Sequence, residues 1–99
     1  IYEQVYNDGG QSQVRSVAPA RGSVNGGTEI GISGKNFAAD AIVSIGGKQV
    51  KYKLISPDLI EAKTPPGDDG QMVDVSVKHL GGKEAVGRRA FAYDARYKQ

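Results

Sequence analysis

At 99 residues the chain allows one domain with one modest core, burying somewhat under roughly 70% of its unfolded surface. Its 38% hydrophobic and 24% charged residues describe a folded soluble chain rather than a disordered one, and a net charge of +2 is too small to demand a nucleic-acid partner. The absence of cysteine removes thiol chemistry, Cys-based zinc sites and a disulfide framework together, so stability must come from the core alone.

No run approaches the roughly 18 apolar residues that cross a bilayer, so membrane insertion is not expected. No signal peptide is visible. The opening at Ile1, without Met, reads as a fragment or a processed product. Fourteen glycines, with Val and Ile in short bursts, favour many strands joined by tight turns.

In chain order, Ile1 to Tyr6 is apolar and aromatic enough for a short strand, and Asn7 to Gln13 is a polar, Gly-rich linker. Residues 1–13 are therefore read as a linker or the end of a preceding domain, with an extra edge strand or a frayed terminus as the plainer alternative. Val14 to Ala18 is the first strand of the domain proper, stopped by Pro19, which lacks the N–H a ladder needs. The spacing of Val14 and Val17 breaks period two and predicts a bulge or kink.

The organising strand is Thr28 to Gly34. Ile30 and Ile32 alternate with Glu29, Gly31 and Ser33 between two turn clusters, Asn25-Gly26-Gly27 and Gly34-Lys35-Asn36. Phe37 follows as a plug for the core. Ala41 to Ile45 places Val43 and Ile45 inward, and Gly46-Gly47 is a two-residue hairpin signal. Gln49 to Ile55 reads as one strand, with Val50, Tyr52 and Leu54 on one face and Lys51 and Lys53 on the other. Ser56-Pro57-Asp58 breaks it.

Leu59 to Thr64 puts Ile60 and Ala62 on one face and ends at Pro65-Pro66-Gly67. After the turn Asp68-Asp69-Gly70, Met72 to Lys78 alternates most cleanly, with Val73, Val75 and Val77 inward. Gly81-Gly82 turns the chain into Glu84 to Tyr93, where Phe91 and Tyr93 oppose Ala90 and Ala92. The domain is expected over residues 14–94, with a loose charged tail at 95–99. About seven strands at this spacing predict an all-β, immunoglobulin-like sandwich in which two sheets bury their apolar faces against each other.

Six pieces in one order carry a resemblance. Val14-x-x-Val17-x-Pro19-x-x-Gly22 followed by Gly26-Gly27-Thr28-x-Ile30-x-Ile32-x-Gly34-x-Asn36-Phe37 resembles the start of an IPT/TIG domain, the immunoglobulin-like module shared by plexins and transcription factors. Val43-x-Ile45-Gly46-Gly47, Thr64-Pro65-Pro66-Gly67, Val73-x-Val75-x-Val77 and Phe91-x-Tyr93 are similar to its later hairpin, turn and strands. The resemblance spans about Val14 to Tyr93. It implies a small E-set sandwich of the kind found in cell-surface receptors, bacterial surface proteins, carbohydrate-active enzymes and some transcription factors. Such a module acts as a spacer or interaction domain and has no shared active-site motif, so it supplies no catalytic or cofactor residues. Receptor versions often carry Cys, which this chain lacks.

The residues themselves offer little chemistry. His79 is the only histidine and has no adjacent nucleophile or carboxylate in sequence, so it reads as a solvated turn residue and not a base. Asp68 and Asp69 lack a calcium-loop pattern and read as turn carboxylates. The Gly-rich pieces lead into strands rather than a helix N-terminus, so no phosphate cradle is expected.

Lys51, Lys53, Lys78 and Arg88 lie on outward phases of strands expected to share a sheet, a candidate basic face for an anionic partner. The plainer reading, which the pattern favours, is that such charges keep strand edges from aggregating. A glycan partner is left open without support: there is no Trp, Tyr52 and Tyr93 lie on apolar phases, and Tyr2, Tyr6 and Tyr97 sit near the termini.

The expectation is a non-catalytic module of a larger extracellular or cell-surface protein, needing no cofactor or metal, that spaces or docks neighbouring domains or contacts another protein. The alternatives are an accessory domain of a secreted carbohydrate-active enzyme and a dimerisation domain of a transcription factor.

Overall fold

The computed structural model describes residues 12–79 and 84–96. Within them are nine strands: β1 (Gln13–Ala18), β2 (Arg21–Gly22), β3 (Glu29–Lys35), β4 (Ile42–Ile45), β5 (Lys48–Val50), β6 (Tyr52–Ser56), β7 (Leu59–Lys63), β8 (Met72–Lys78) and β9 (Glu84–Tyr93). The expected strand at Ile1–Tyr6, most of the linker after it, the Gly81-Gly82 turn and the end of the tail lie outside the described residues.

Two sheets form. One has the order β1-β3-β7-β6 and the other β2-β9-β8-β4-β5. Every described pairing is antiparallel except β2 with β9, where Arg21 faces Ala92 and Gly22 faces Tyr93. The protein is thus the all-β, immunoglobulin-like sandwich that the strand spacing predicts.

Alternation decides which face is buried. On β3, Ile30 and Ile32 are sealed while Glu29 and Lys35 are exposed. Opposite them in the other sheet are Val43 and Ile45 of β4, Val73, Val75 and Val77 of β8, and Phe91 and Tyr93 of β9. Phe91 is the largest wholly buried side chain and meets Tyr93 edge-to-face at 5.2 Å between ring centroids. Phe37 closes one end of the core, held there by its N–H donating to Pro57 O at 2.8 Å.

Two features differ from the expected strands. Residues 49–55 do not form one strand. The chain pairs with β4 as far as Val50, crosses at Lys51, and pairs with β7 from Tyr52 onward in the other sheet. Val50, Tyr52 and Leu54 all still pack against the core, because both sheets present their inner faces to the same space. Period two therefore survives the crossing and does not report it. The split, together with two-residue β2, raises the element number from about seven to nine.

The predicted irregularity in β1 is present. Val14 faces Gly34 but Ser16 faces Ser33, leaving Arg15 as the extra residue of a bulge. A larger one interrupts β9, where Val73 faces Phe91 and Val75 faces Gly87, so that Arg88, Arg89 and Ala90 stand against Asp74 alone. Arg89 takes a positive φ of 51°, and its N–H donates to Asp74 Oδ1 at 2.8 Å.

The Gly46-Gly47 hairpin turns as expected, with φ of 62° and 83° and Ile45 opposite Lys48. Gly34 is required for another reason: a Cβ there would lie 1.8 Å from Gln13 O and 2.5 Å from Phe37 Cζ. At Gly31 a Cβ would meet Leu59 Cδ1 at an ordinary 3.5 Å. In urea denaturation, Gly34→Ala is expected to lose at least the 1–3 kcal/mol or so of an overpacked core. Gly31→Ala, in the same strand, should stay within about 0.5 kcal/mol of wild type or gain stability. Equal losses in the two variants would contradict the packing described.

Candidate functional site

The four basic residues singled out in the sequence do not come together. Lys51 sits at the crossing between the sheets and Lys53 on β6, at the edge of the four-stranded sheet. Lys78 and Arg88 are on β8 and β9 of the other sheet. The expected shared sheet fails because residues 49–55 change sheets at Lys51.

Lys51 and Lys53 do line one shallow depression, together with Lys63, Tyr52 and the carboxylates Glu29 and Glu61. Glu61 stands opposite Lys53 and Glu29 opposite Lys63 in the ladders. Lys78 stands opposite Glu84. Opposite charges on facing strands suit a solvated sheet face more than a basic field.

His79 is not the solvated turn residue expected. It follows β8, its side chain is only 16% exposed, and it contacts two segments far away in sequence. Nε2 meets Ser12 Oγ, and Nδ1 lies 3.4 Å from Asp40 Oδ1. These three residue types can make a hydrolytic triad, but here the Ser12 hydroxyl donates to Asn36 O at 3.0 Å. A ring nitrogen acting as base would need that proton pointed at itself. The trio instead ties the start of β1, the loop before β4 and the end of β8 to one another. Sequence separations of 39 and 67 residues kept it from view.

The hydroxyls of Tyr52 and Tyr93, the two described tyrosines, are committed to backbone. Tyr93 donates to Pro65 O at 2.6 Å, while Tyr52 OH lies 2.7 Å from Ala41 O and 2.9 Å from Ala39 O. Asp69 Oδ1 accepts the Ala95 N–H at 2.8 Å, which fastens the turn before β8 to the chain beyond β9. Among the described residues, no group of three or more His, Asp or Glu could hold a metal ion, and no helix is long and apolar enough to cross a membrane.

Fold and surface together define a module of immunoglobulin-like type whose reactive side chains are tied to structural contacts. The IPT/TIG domain family model matches residues 12–93, and the chain belongs to that family. It is 37% identical over 65 residues to human Fibrocystin-L, a match covering 65% of this chain and 2% of that protein. It is similar in fold to a structure of the Plexin A4 extracellular region, domains 1 to 10. There the TM-score is 0.73 at 22% identity, over 84% of this chain and 7% of the other. It is also similar to an auxiliary nutrient binding protein from Bacteroides ovatus, with a TM-score of 0.58 at 23% identity, over 84% of this chain and 21% of the other. The chain thus spans a small fraction of each of these three proteins.

Burial raises the pKa of the Tyr93 phenol above its ordinary 10.0. Burial also raises that of Tyr52, opposed by its bond to the Ala41 carbonyl and reinforced by Asp40. Both pKa values are higher folded than unfolded, so the neutral phenols favour the fold fully below pH 10 or so, and that contribution is lost as pH rises through the elevated values. Tyr93→Phe should cost about 0.5–1.5 kcal/mol at neutral pH for the lost hydrogen bond and flatten the alkaline decline. Denaturant titrations from pH 7 to 11 would show this, and an unchanged alkaline slope would contradict it.

Proposed function

We propose that this chain works as a non-catalytic immunoglobulin-like module of a larger extracellular or cell-surface protein, spacing neighbouring domains and offering its faces and loops to other proteins. The observation that carries this reading is the small share of each relative that the chain covers, 2% of Fibrocystin-L and 7% of the Plexin A4 extracellular region. A unit used at that scale contributes geometry and surface, and a rigid sandwich holds its loops and faces in fixed relation. Residues 1–13 belong in this reading to a linker or a preceding domain, and residues 14–94 to the module.

Protease shaving of intact source cells separates surface from interior, and sedimentation velocity of the isolated chain separates a monomeric spacer from a dimerisation domain. The proposal expects peptides of this chain among those released and a single monomeric species at micromolar concentration. A protease-resistant intracellular pool, or a stable dimer, would count against it.

A further inference from the structure

Among the described residues no ladder joins β1 to the neighbouring Glu84–Ala90 stretch of β9. β9 is paired along its far edge only at Ala92 and Tyr93, by two-residue β2, so Glu84 to Ala90 has no ladder there among the described residues. β1 likewise has a ladder only with β3. Between them runs a groove of ≈ 530 Å³ with Val14, Val17, Val86 and Ala90 as apolar lining and Arg15 and Arg88 as its only charged lining residues. At Gly87 the two strands touch: a Cβ there would come within 2.8 Å of Val14 Cγ1, so the glycine lets β1 pack closely against β9 at the floor of the groove.

Both arginines occupy interruptions of the ladder. Arg15 is the extra residue of the β1 bulge, and Arg88 belongs to the three residues of β9 that face Asp74. A bulge re-aims a side chain that regular pairing would have placed elsewhere. Two independent bulges, on strands of different sheets, therefore bring cations to one groove. Asp74 is turned to the Arg89 N–H instead, and among the described residues no carboxylate lines the groove. Lys51 and Lys53, by contrast, share their depression with Glu29 and Glu61.

Resting on the reading of this chain as an interaction module, we propose that the β1–β9 groove docks an extended acidic segment of another protein, one that alternates carboxylates with apolar side chains. The apolar lining takes the side chains and the two guanidiniums take the carboxylates, each able to bind bidentately. The apolar lining also favours such a peptide over a sulfated glycan, which would need charge alone.

The test is titration of the full chain with a dye-labelled decapeptide of alternating Glu and Val, beside a Lys and Val counterpart and a heparin hexasaccharide. Amide NMR shifts serve as the map. The acidic peptide should bind, shift amides of residues 14–17 and 86–90, and weaken as salt rises. Arg15→Glu with Arg88→Glu should lower affinity about tenfold or more, while Lys51→Glu with Lys53→Glu should leave it unchanged. Should the reversals unfold the chain, Arg15→Gln with Arg88→Gln should still weaken binding.

No binding of the acidic peptide, equal binding of the basic one, shifts confined to other surfaces, or binding of the hexasaccharide alone would overturn the proposal. None of these results alters monomer state or surface exposure, so the broader module reading stands or falls separately.

Discussion

The contact between two apolar faces, made without a single covalent cross-link, is the constraint from which the rest follows. A chain of 99 residues with no cysteine has only the space between its sheets in which to bury hydrophobic surface. Ile30, Ile32 and Ile60 from one sheet and Val43, Ile45, Val75, Val77 and Phe91 from the other have essentially no solvent exposure. Fully burying one such side chain contributes about 1.5–3 kcal/mol, against an expected total stability of only about 5–15 kcal/mol. Few of them can be spared for any other role.

That concentration leaves function to the outside. Several described polar groups are held in structural contacts: the Tyr52 and Tyr93 hydroxyls on backbone carbonyls, Asp69 on Ala95, Asp74 on Arg89, and His79 between Ser12 and Asp40. Each satisfies a group that would be costly to leave unpaired or fixes a loop against a strand. What varies freely is the pattern of charge on the sheet faces and edges, where a side chain can change at little cost to the core.

Much of the fold was legible because its signals are local. Alternation located the organising strand and the Met72–Lys78 strand, and Gly46-Gly47 marked a turn that the structure contains. The sheet change at Lys51 was not legible, since Val50, Tyr52 and Leu54 keep one phase while their ladder partners change from Val43 to Ala62 and Ile60. That event misplaced the candidate basic face. The β1 irregularity was visible in the spacing of Val14 and Val17, whereas the larger one in β9 left only Gly87, a glycine inside a strand, as a local sign. Asp74, which accepts the Arg89 N–H within it, is 15 residues away in sequence. Sites assembled across strands depend on register, which one sequence does not state.

Native-state hydrogen exchange of the full chain tests the central claim most directly, because it ranks the amides by the free energy needed to expose them. The account predicts that the slowest set lies in β3, β7, β8 and the Phe91 end of β9, that amides from both sheets exchange through the same global opening, and that the short β2 and β5 exchange faster. Slowest exchange confined to one sheet, with the other opening independently, would contradict a single core shared between the two layers.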